Sequence, residues 1–267
     1  MRDLSNSSNG EGTELDNQNA LQVSVIIPTF CEVENLRELV SRLDASLSKA
    51  KVHSEIIIVD DDSPDGTAAV GRELAKLFSL RVHVRAGKRG LSTAVLEGMQ
   101  LAQGKVLVVM DGDLSHPPET APILVKTIMN GTADFALASR YVKGGGADEV
   151  WTLSRRCISR IATLLARPLT SVRDPMSGYF ALSKNTFLQH ANQLRPLGFK
   201  RGLEITVKCK CKRIVEVPIL FRQRSGGQSK LNSRESFAYV AHLLRLYCYR
   251  LLEKTRKKND LPVRSSM

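Results

Sequence analysis

Asp111 and Asp113 stand one glycine apart where the apolar run 106–110 stops, in the stretch VLVVMDGDLSHPPE. Two carboxylates at the end of a buried strand repel each other and resist desolvation. A divalent cation with oxygen ligands resolves that conflict, above all one carried in by a phosphate. Further acids share the pattern: EIIIVD ends in Asp60 and runs on into Asp61 and Asp62, while VSVII leads to Pro28, Phe30 and Glu32. These residues point to metal-assisted handling of a phosphorylated ligand.

The elements that must position them are legible from periodicity. VSVII (23–27), EIIIVD (55–60), RVHVR (81–85), KVLVVMD (105–111) and DFALAS (134–139) read as strands. Between them ENLRELVSRLDASL, DGTAAVGRELAKLF and STAVLEGMQLAQG repeat apolar residues at three and four, and Ser92 and Gly104 are the expected N-cap and stop of the third. Strand alternating with helix implies a largely parallel α/β sheet covered on both faces, with its ligands beyond the carboxyl ends of the strands. Three strands therefore deliver their acids to one rim.

Other uses of such a rim fit less well. IIIVDDD is similar to the acidic pocket of a phosphoacceptor receiver, but a receiver places that strand first, whereas here a strand precedes it and a long chain follows Asp113. Neither GxxxxGK[ST] nor GxGxxG after a strand occurs, and His116 and His190 suit packing or surface better than a hydrolytic triad. The five cysteines are odd in number and lack CxxC spacing, which favours neither a disulfide framework nor a zinc site and fits a reducing cytosol. Residues 1–20, rich in Ser, Asn, Gly and acid, read as a disordered tail, residues 21–232 as one domain, and 233–267 as a basic amphipathic helix and tail. Charge is uneven: residues 200–267 hold 17 Lys and Arg against 5 Asp and Glu, while residues 1–199 hold 22 of each. The whole net charge of +12 thus lies in the last quarter, suited to nucleic acid, an anionic membrane or a phosphorylated substrate, and equally to a plain solvated surface.

The ordered blocks VIIPTFCEVENL, IIIVDDDSPDGT, GLSTAVLEGM, VMDGDLSHPPE, ASRYVKGG, RRCISRIA, DPMSGYFAL, GFKRGLE and VPILFRQRSGGQSKL make the chain resemble the family 2 glycosyltransferases, and within them the dolichol-phosphate or polyprenol-phosphate mannosyltransferases. The resemblance implies a single GT-A type domain with a Rossmann-like twisted sheet. It implies GDP-mannose as donor, a polyprenyl or dolichyl phosphate as acceptor, and Mg²⁺ or Mn²⁺ as cofactor. Pro28, Phe30, Glu32, Val59 and Asp61 match positions that contact the nucleotide. Asp111, Gly112 and Asp113 match the DxD turn on the diphosphate, with Ser115 at a third metal position. Arg140, Arg155 and Ser159 match acceptor-phosphate positions, and Lys200, Arg224 and Lys230 match basic positions that close over the donor. Two residues depart from the family's pattern: Cys31 replaces the usual Asn, and Ser115, a weaker ligand, stands where prokaryotic relatives carry Gln.

Several readings stay compatible with the residues themselves. Asp65 in SPDGT suits a turn or helix start as well as a site, and Arg156 and Arg160 suit a plain surface. A polyprenyl-phosphate glucosyltransferase of the same fold, or a non-catalytic nucleotide-binding or scaffolding subunit, are the alternatives. No run of eighteen apolar residues exists, so a peripheral place on the cytosolic face of a membrane is expected. In the last helix Phe237, Val240, Leu244, Tyr247 and Leu251 recur at three and four, opposite His242, Arg245 and Tyr249, and EKTRKK follows. Such a helix can lie on an anionic membrane, dock a small membrane-anchoring subunit, or pack on its own domain; nucleic acid is not expected as a partner.

Overall fold

The structure, a computed structural model, describes residues 21–147, 153–195, 201–222 and 233–259; for residues 153–157, 201, 233–237, 254 and 256–259 the backbone alone is described. The tail at 1–20, Lys200, Arg224 and Lys230 lie outside the described residues, and the side chains of Arg155 and Phe237 do too.

The apolar runs form β1 (Val23–Thr29), β2 (Ser54–Asp60), β3 (Leu80–Val84), β4 (Val106–Val109) and β5 (Phe135–Ser139). Joined by β7 (Phe180–Ser183) and β8 (Ile214–Pro218), they make a seven-stranded sheet in the order β3-β2-β1-β4-β7-β5-β8. β7 runs antiparallel to both neighbours, and every other pairing in that sheet is parallel. The short β6 (Gly146–Ala147) and β9 (Leu220–Phe221) form a separate parallel pair.

Because successive side chains of a strand point to opposite faces, β1, β2 and β4 feed two cores. Val25, Ile27, Ile56, Ile58 and Val108 join α1 (Val33–Lys49) and α4 (Ala121–Met129) on one face. Ile26, Ile57, Val59, Leu107 and Val109 meet α3 (Leu91–Leu101) on the other. In α1 Leu36, Leu39, Leu43 and Leu47 are fully buried, each worth about 1.5–3 kcal/mol relative to exposure. α2 (Thr67–Leu74) covers β3, and α5 (Leu153–Ala166), α6 (Lys184–His190), α7 (Arg201–Lys208) and α8 (Ser233–Asn259) complete the helices of the described residues.

Two expectations for α3 are corrected. Gly90, at φ 141°, is the residue before the helix, and Ser92 is buried inside the first turn rather than capping it. The helix stops at Ala102, whose ψ of 140° leaves the helical region. Gly104 serves the sheet instead: an added Cβ would stand 2.5 Å from the backbone nitrogen of Ser24.

α8 packs on its own domain. Leu243 and Leu246 are buried with Ala166, Leu169 and Leu203, and the Tyr239 and Tyr247 hydroxyls donate to the carbonyls of Ala162 and Leu165, both at 2.7 Å. His242 lies on this inward face, whereas Val240, Leu244 and Leu251 of the apolar stripe are exposed. No helix among the described residues is long and apolar enough to cross a membrane.

Candidate active site

β1, β2 and β4 run parallel and end at one rim, with Thr29 opposite Asp60 and Ile26 opposite Val109. The DGD turn is pressed between two neighbours. A Cβ on Gly112 would stand 3.3 Å from Thr29 Cγ2 and 3.5 Å from Glu32 Cγ, so the glycine lets the turn lie against the end of β1. On its other side Gly178 lies against Asp111, since a Cβ there would be 3.5 Å from both carboxylate oxygens.

Within the turn the two aspartates differ. Asp113 is buried, and its Oδ1 accepts from the Ser115 N–H at 3.1 Å and the Ser115 hydroxyl at 2.5 Å. Ser115, fully buried, therefore aims Asp113 with its hydroxyl. Asp111 is about a third exposed, and its N–H donates to Nδ1 of the buried His116 at 3.2 Å. Burial holds the His116 pKa below its usual value, outweighing the pull of Asp111 and Asp113. The imidazole is then neutral with its proton on Nε2, and the 3.7 Å approach of Nδ1 to the Asp111 carboxylate is not an ion pair. Tyr179 and Phe221 hold the ring at centroid distances of 5.1 and 5.3 Å.

The acids of β2 are occupied otherwise. Asp60, fully buried, accepts from Thr29 at 2.8 Å and from the N–H and hydroxyl of Ser63 at 2.9 and 2.7 Å. Asp61 meets Arg85 at 3.0 Å and the Gly90 N–H at 2.6 Å. Asp65 accepts from the Val33 N–H and from both donors of Thr67, joining the starts of α1 and α2. Crowding among these carboxylates is thus relieved by polar partners and Arg85, and the remaining demand for a cation falls on the DGD pair. Among the described residues Asp111 meets no lysine or arginine, and no three His, Cys, Asp or Glu side chains gather as a metal cage. Two carboxylates on one turn, one of them partly exposed, fit an oxygen-coordinated divalent cation whose remaining ligands a nucleotide would bring.

A second cluster stands beyond His116. Arg140 lies 5.4 Å from the Phe221 ring centroid and is bound by the fully buried Asp174, Nε to Oδ2 at 2.8 Å and Nη2 to Oδ1 at 2.7 Å. Burial opposes its charge, but Asp174 more than compensates and raises the Arg140 pKa. The next residue, Tyr141, shares a 2.8 Å hydrogen bond with Ser159 of α5, which ties Ser159 to the segment that carries Arg140. Arg155 is one helical turn before Ser159 on α5. Pro28 and Val59 are the next-to-last residues of β1 and β2 and pair with each other, and Phe30 and Glu32 follow β1. Sequence analysis assigns no role to Asp174, Tyr141, Phe221 or Arg85; the first three lie in the blocks DPMSGYFAL, ASRYVKGG and VPILFRQRSGGQSKL, and Arg85 carries no such signal.

A sheet of this order, open at the carboxyl ends with a DxD turn on its central strand, defines the GT-A glycosyltransferase architecture. Residues 24–190 match Glycosyl transferase family 2, and the chain belongs to that family. It is 44% identical over 230 residues to the dolichol-phosphate mannosyltransferase of Pyrococcus furiosus, covering 85% of this chain and 64% of that protein. To the enzyme of the same name from Saccharomyces cerevisiae it is 40% identical over 240 residues, 86% of this chain and 89% of the relative. Among solved structures, a Pyrobaculum calidifontis mannosyltransferase in complex with GDP-Man and Mn²⁺ superposes with TM-score 0.61 at 16% identity, over 85% of this chain and 65% of that one. Glucosyl-3-phosphoglycerate synthase of Mycobacterium tuberculosis, with Mn²⁺, UDP-glucose and phosphoglyceric acid, gives 0.60 at 20% identity, over 90% and 85%.

Proposed function

We propose that this glycosyltransferase moves mannose from GDP-mannose to a polyprenyl monophosphate, dolichyl phosphate included, with inversion at the anomeric carbon. The observation that carries the reading is the pairing of the DGD turn with the Arg140, Tyr141 and Ser159 cluster, linked through His116 and Phe221. An acid pair for a metal diphosphate and a guanidinium-hydroxyl cluster for a phosphate are the two binding functions such a transfer needs.

A polyprenyl monophosphate is an anion near neutral pH, so its oxygen attacks without a general base. That fits His116, whose Nδ1 is engaged by the Asp111 N–H and whose ring is sealed by Tyr179 and Phe221. Asp111 and Asp113 would hold the divalent cation, which supplies charge neutralisation to the leaving GDP. Ser115 fixes the direction of Asp113 before ligand arrives. Asp174 does the same for Arg140 and leaves that pair nearly neutral, so Arg155 supplies the net positive charge opposite the acceptor. Lys200, Arg224 and Lys230, which match basic donor-diphosphate positions of the family, are assigned to the donor in this reading.

The acceptor's hydrocarbon tail calls for a lipid surface, and we assign that contact to the outer faces of α5 and α8. Ile158, Ile161 and Leu164 on α5 are 58%, 59% and 70% exposed, and Leu244 and Leu251 on α8 are 60% and 64% exposed. Such apolar faces beside the basic segment EKTRKK suit an anionic bilayer.

The test is incubation with radiolabelled GDP-mannose, Mn²⁺ or Mg²⁺ and polyprenyl phosphate, with UDP-glucose in competition. A lipid-extractable mannosyl product is expected. Transfer from UDP-glucose alone would replace the donor, and binding without transfer would make the chain a scaffolding subunit.

A further inference from the structure

The loop between β3 and α3, residues 86–90, is built with more care than a connection needs. Its end is tied to β2, the Gly90 N–H donating to Asp61 Oδ2 at 2.6 Å. The buried Arg85 braces it from beneath, reaching Asp61 Oδ1 at 3.0 Å, the Gly90 carbonyl at 3.2 Å and the Thr93 hydroxyl. Inside the loop the Lys88 N–H donates to the Arg85 carbonyl at 3.0 Å. Gly87 at φ 65° and Gly90 at φ 141° supply the conformations that other residues resist.

What this loop presents is Arg89. The residue is exposed, and its guanidinium carbon lies 4.5 Å from the centroid of the half-buried Phe30 ring at the end of β1. A flat cation on a flat ring at the rim marks a stacking platform. An exposed stack of this kind is itself worth only about 0.5–1 kcal/mol. That is a weak return for two special glycines and a buried Asp–Arg pair beneath the loop.

We propose that Arg89 selects the nucleobase of the donor: the base takes the Phe30 face, and Arg89 moves to its edge and donates its fork to O6 and N7 of guanine. The inference deepens the donor reading above and rests on it. Guanine offers two adjacent acceptors on that edge, the pattern a guanidinium recognises with two bonds. Uracil has no such adjacent pair and would receive a single bond. Arg85 and Asp61 are positioning residues here, acting through the loop.

The experiment is calorimetric titration of the full chain, in constant Mn²⁺, with GDP, UDP and 7-deaza-GDP, which lacks the N7 acceptor. Wild-type protein should prefer GDP to UDP and bind 7-deaza-GDP more weakly than GDP. Arg89→Lys keeps the charge and removes the fork. It should weaken GDP about tenfold, leave UDP within about twofold, and lose the penalty for 7-deaza-GDP. Equal weakening of GDP and UDP would put Arg89 on the shared diphosphate, and no change in either would leave a plain surface stack; both overturn the inference. A wild-type protein that prefers UDP removes the GDP donor as well, whereas an undiminished GDP preference in Arg89→Lys removes the inference alone.

Discussion

Arg140 and Asp174 meet as a two-pronged pair, Nε on Oδ2 at 2.8 Å and Nη2 on Oδ1 at 2.7 Å, with the Arg140 N–H adding a third bond to Oδ2 at 2.9 Å. The carboxylate is fully buried and the guanidinium nearly so. Removing one member of a buried pair strands the other charge, at about 3–5 kcal/mol. Asp174→Ala should therefore lower unfolding free energy by about that amount in urea titrations, and Arg140→Met with Asp174→Leu should recover most of it while transfer stays lost. A stable, fully active Asp174→Ala would show that Arg140 needs no partner.

Because that pair is nearly neutral, Arg155 is the residue proposed to supply the net positive charge for the acceptor. Arg155→Ala should raise KM for polyprenyl phosphate about tenfold or more and leave GDP binding unchanged. Matching losses of acceptor use and calorimetric GDP affinity would place Arg155 on the donor.

Asp113, the proposed metal ligand, and Ser115, which hydrogen-bonds its Oδ1, can be separated by substitution. Asp113→Asn should remove on the order of a hundredfold or more of turnover with the fold intact, since a metal contributes several kcal/mol to charge stabilisation. Ser115→Ala, which deletes the bond to Asp113 Oδ1, should cost about tenfold. Full turnover in EDTA would reject the metal, and equal losses in the two variants would make Ser115 a ligand.

Much of this was legible because period and position are local properties. Alternation put Ile26 and Ile57 on one face of the sheet and Val25, Ile27, Ile56 and Ile58 on the other, and the same runs placed Asp60, Asp61 and Asp111 at strand ends. Long-range pairing was not legible. Asp174 is 34 residues from Arg140, and the β2 acids looked unpaired until Thr29, Ser63 and Arg85 met them in space. Gly104 shows the limit from the other side: its place after α3 suggested a helix stop, but the demand comes from the backbone at Ser24 in a different element. The apolar stripe of α8 does not mark its packed face, which is set by Ala166, Leu169 and Leu203 and holds Leu243 and Leu246.

Asp65 gives a pH test. Burial pushes its pKa up, but hydrogen bonds from Thr67 and Val33 more than offset this and hold it below the model-peptide value of 3.8. The unfolded chain therefore binds the proton more readily, and the stabilisation, complete above about pH 4, is lost as pH falls through the lower folded pKa. Asp65→Asn should lower Tm at pH 7 and flatten its decline between about pH 4 and 2. An unchanged acid slope would place the acid sensitivity at other carboxylates.

The proposed membrane contact can be tested without disturbing the fold because the packed and the exposed faces of α8 are separate. Truncation before Ser233 would remove Leu243 and Leu246 from a packed cluster and confuse unfolding with lost binding. Leu244 and Leu251 are 60% and 64% exposed, so Leu244→Gln with Leu251→Gln should leave circular dichroism and Tm unchanged. Each leucine buried in lipid is worth about 1.5–3 kcal/mol, and each cation near an anionic surface about 1 kcal/mol, screened over a Debye length of about 8 Å at physiological ionic strength. The intact chain should float with phosphatidylserine-containing vesicles, less with neutral ones and less as salt rises, and the double variant should float at least tenfold more weakly. If both proteins float alike, or neither responds to lipid charge and salt, α8 serves only to brace α5 and α7.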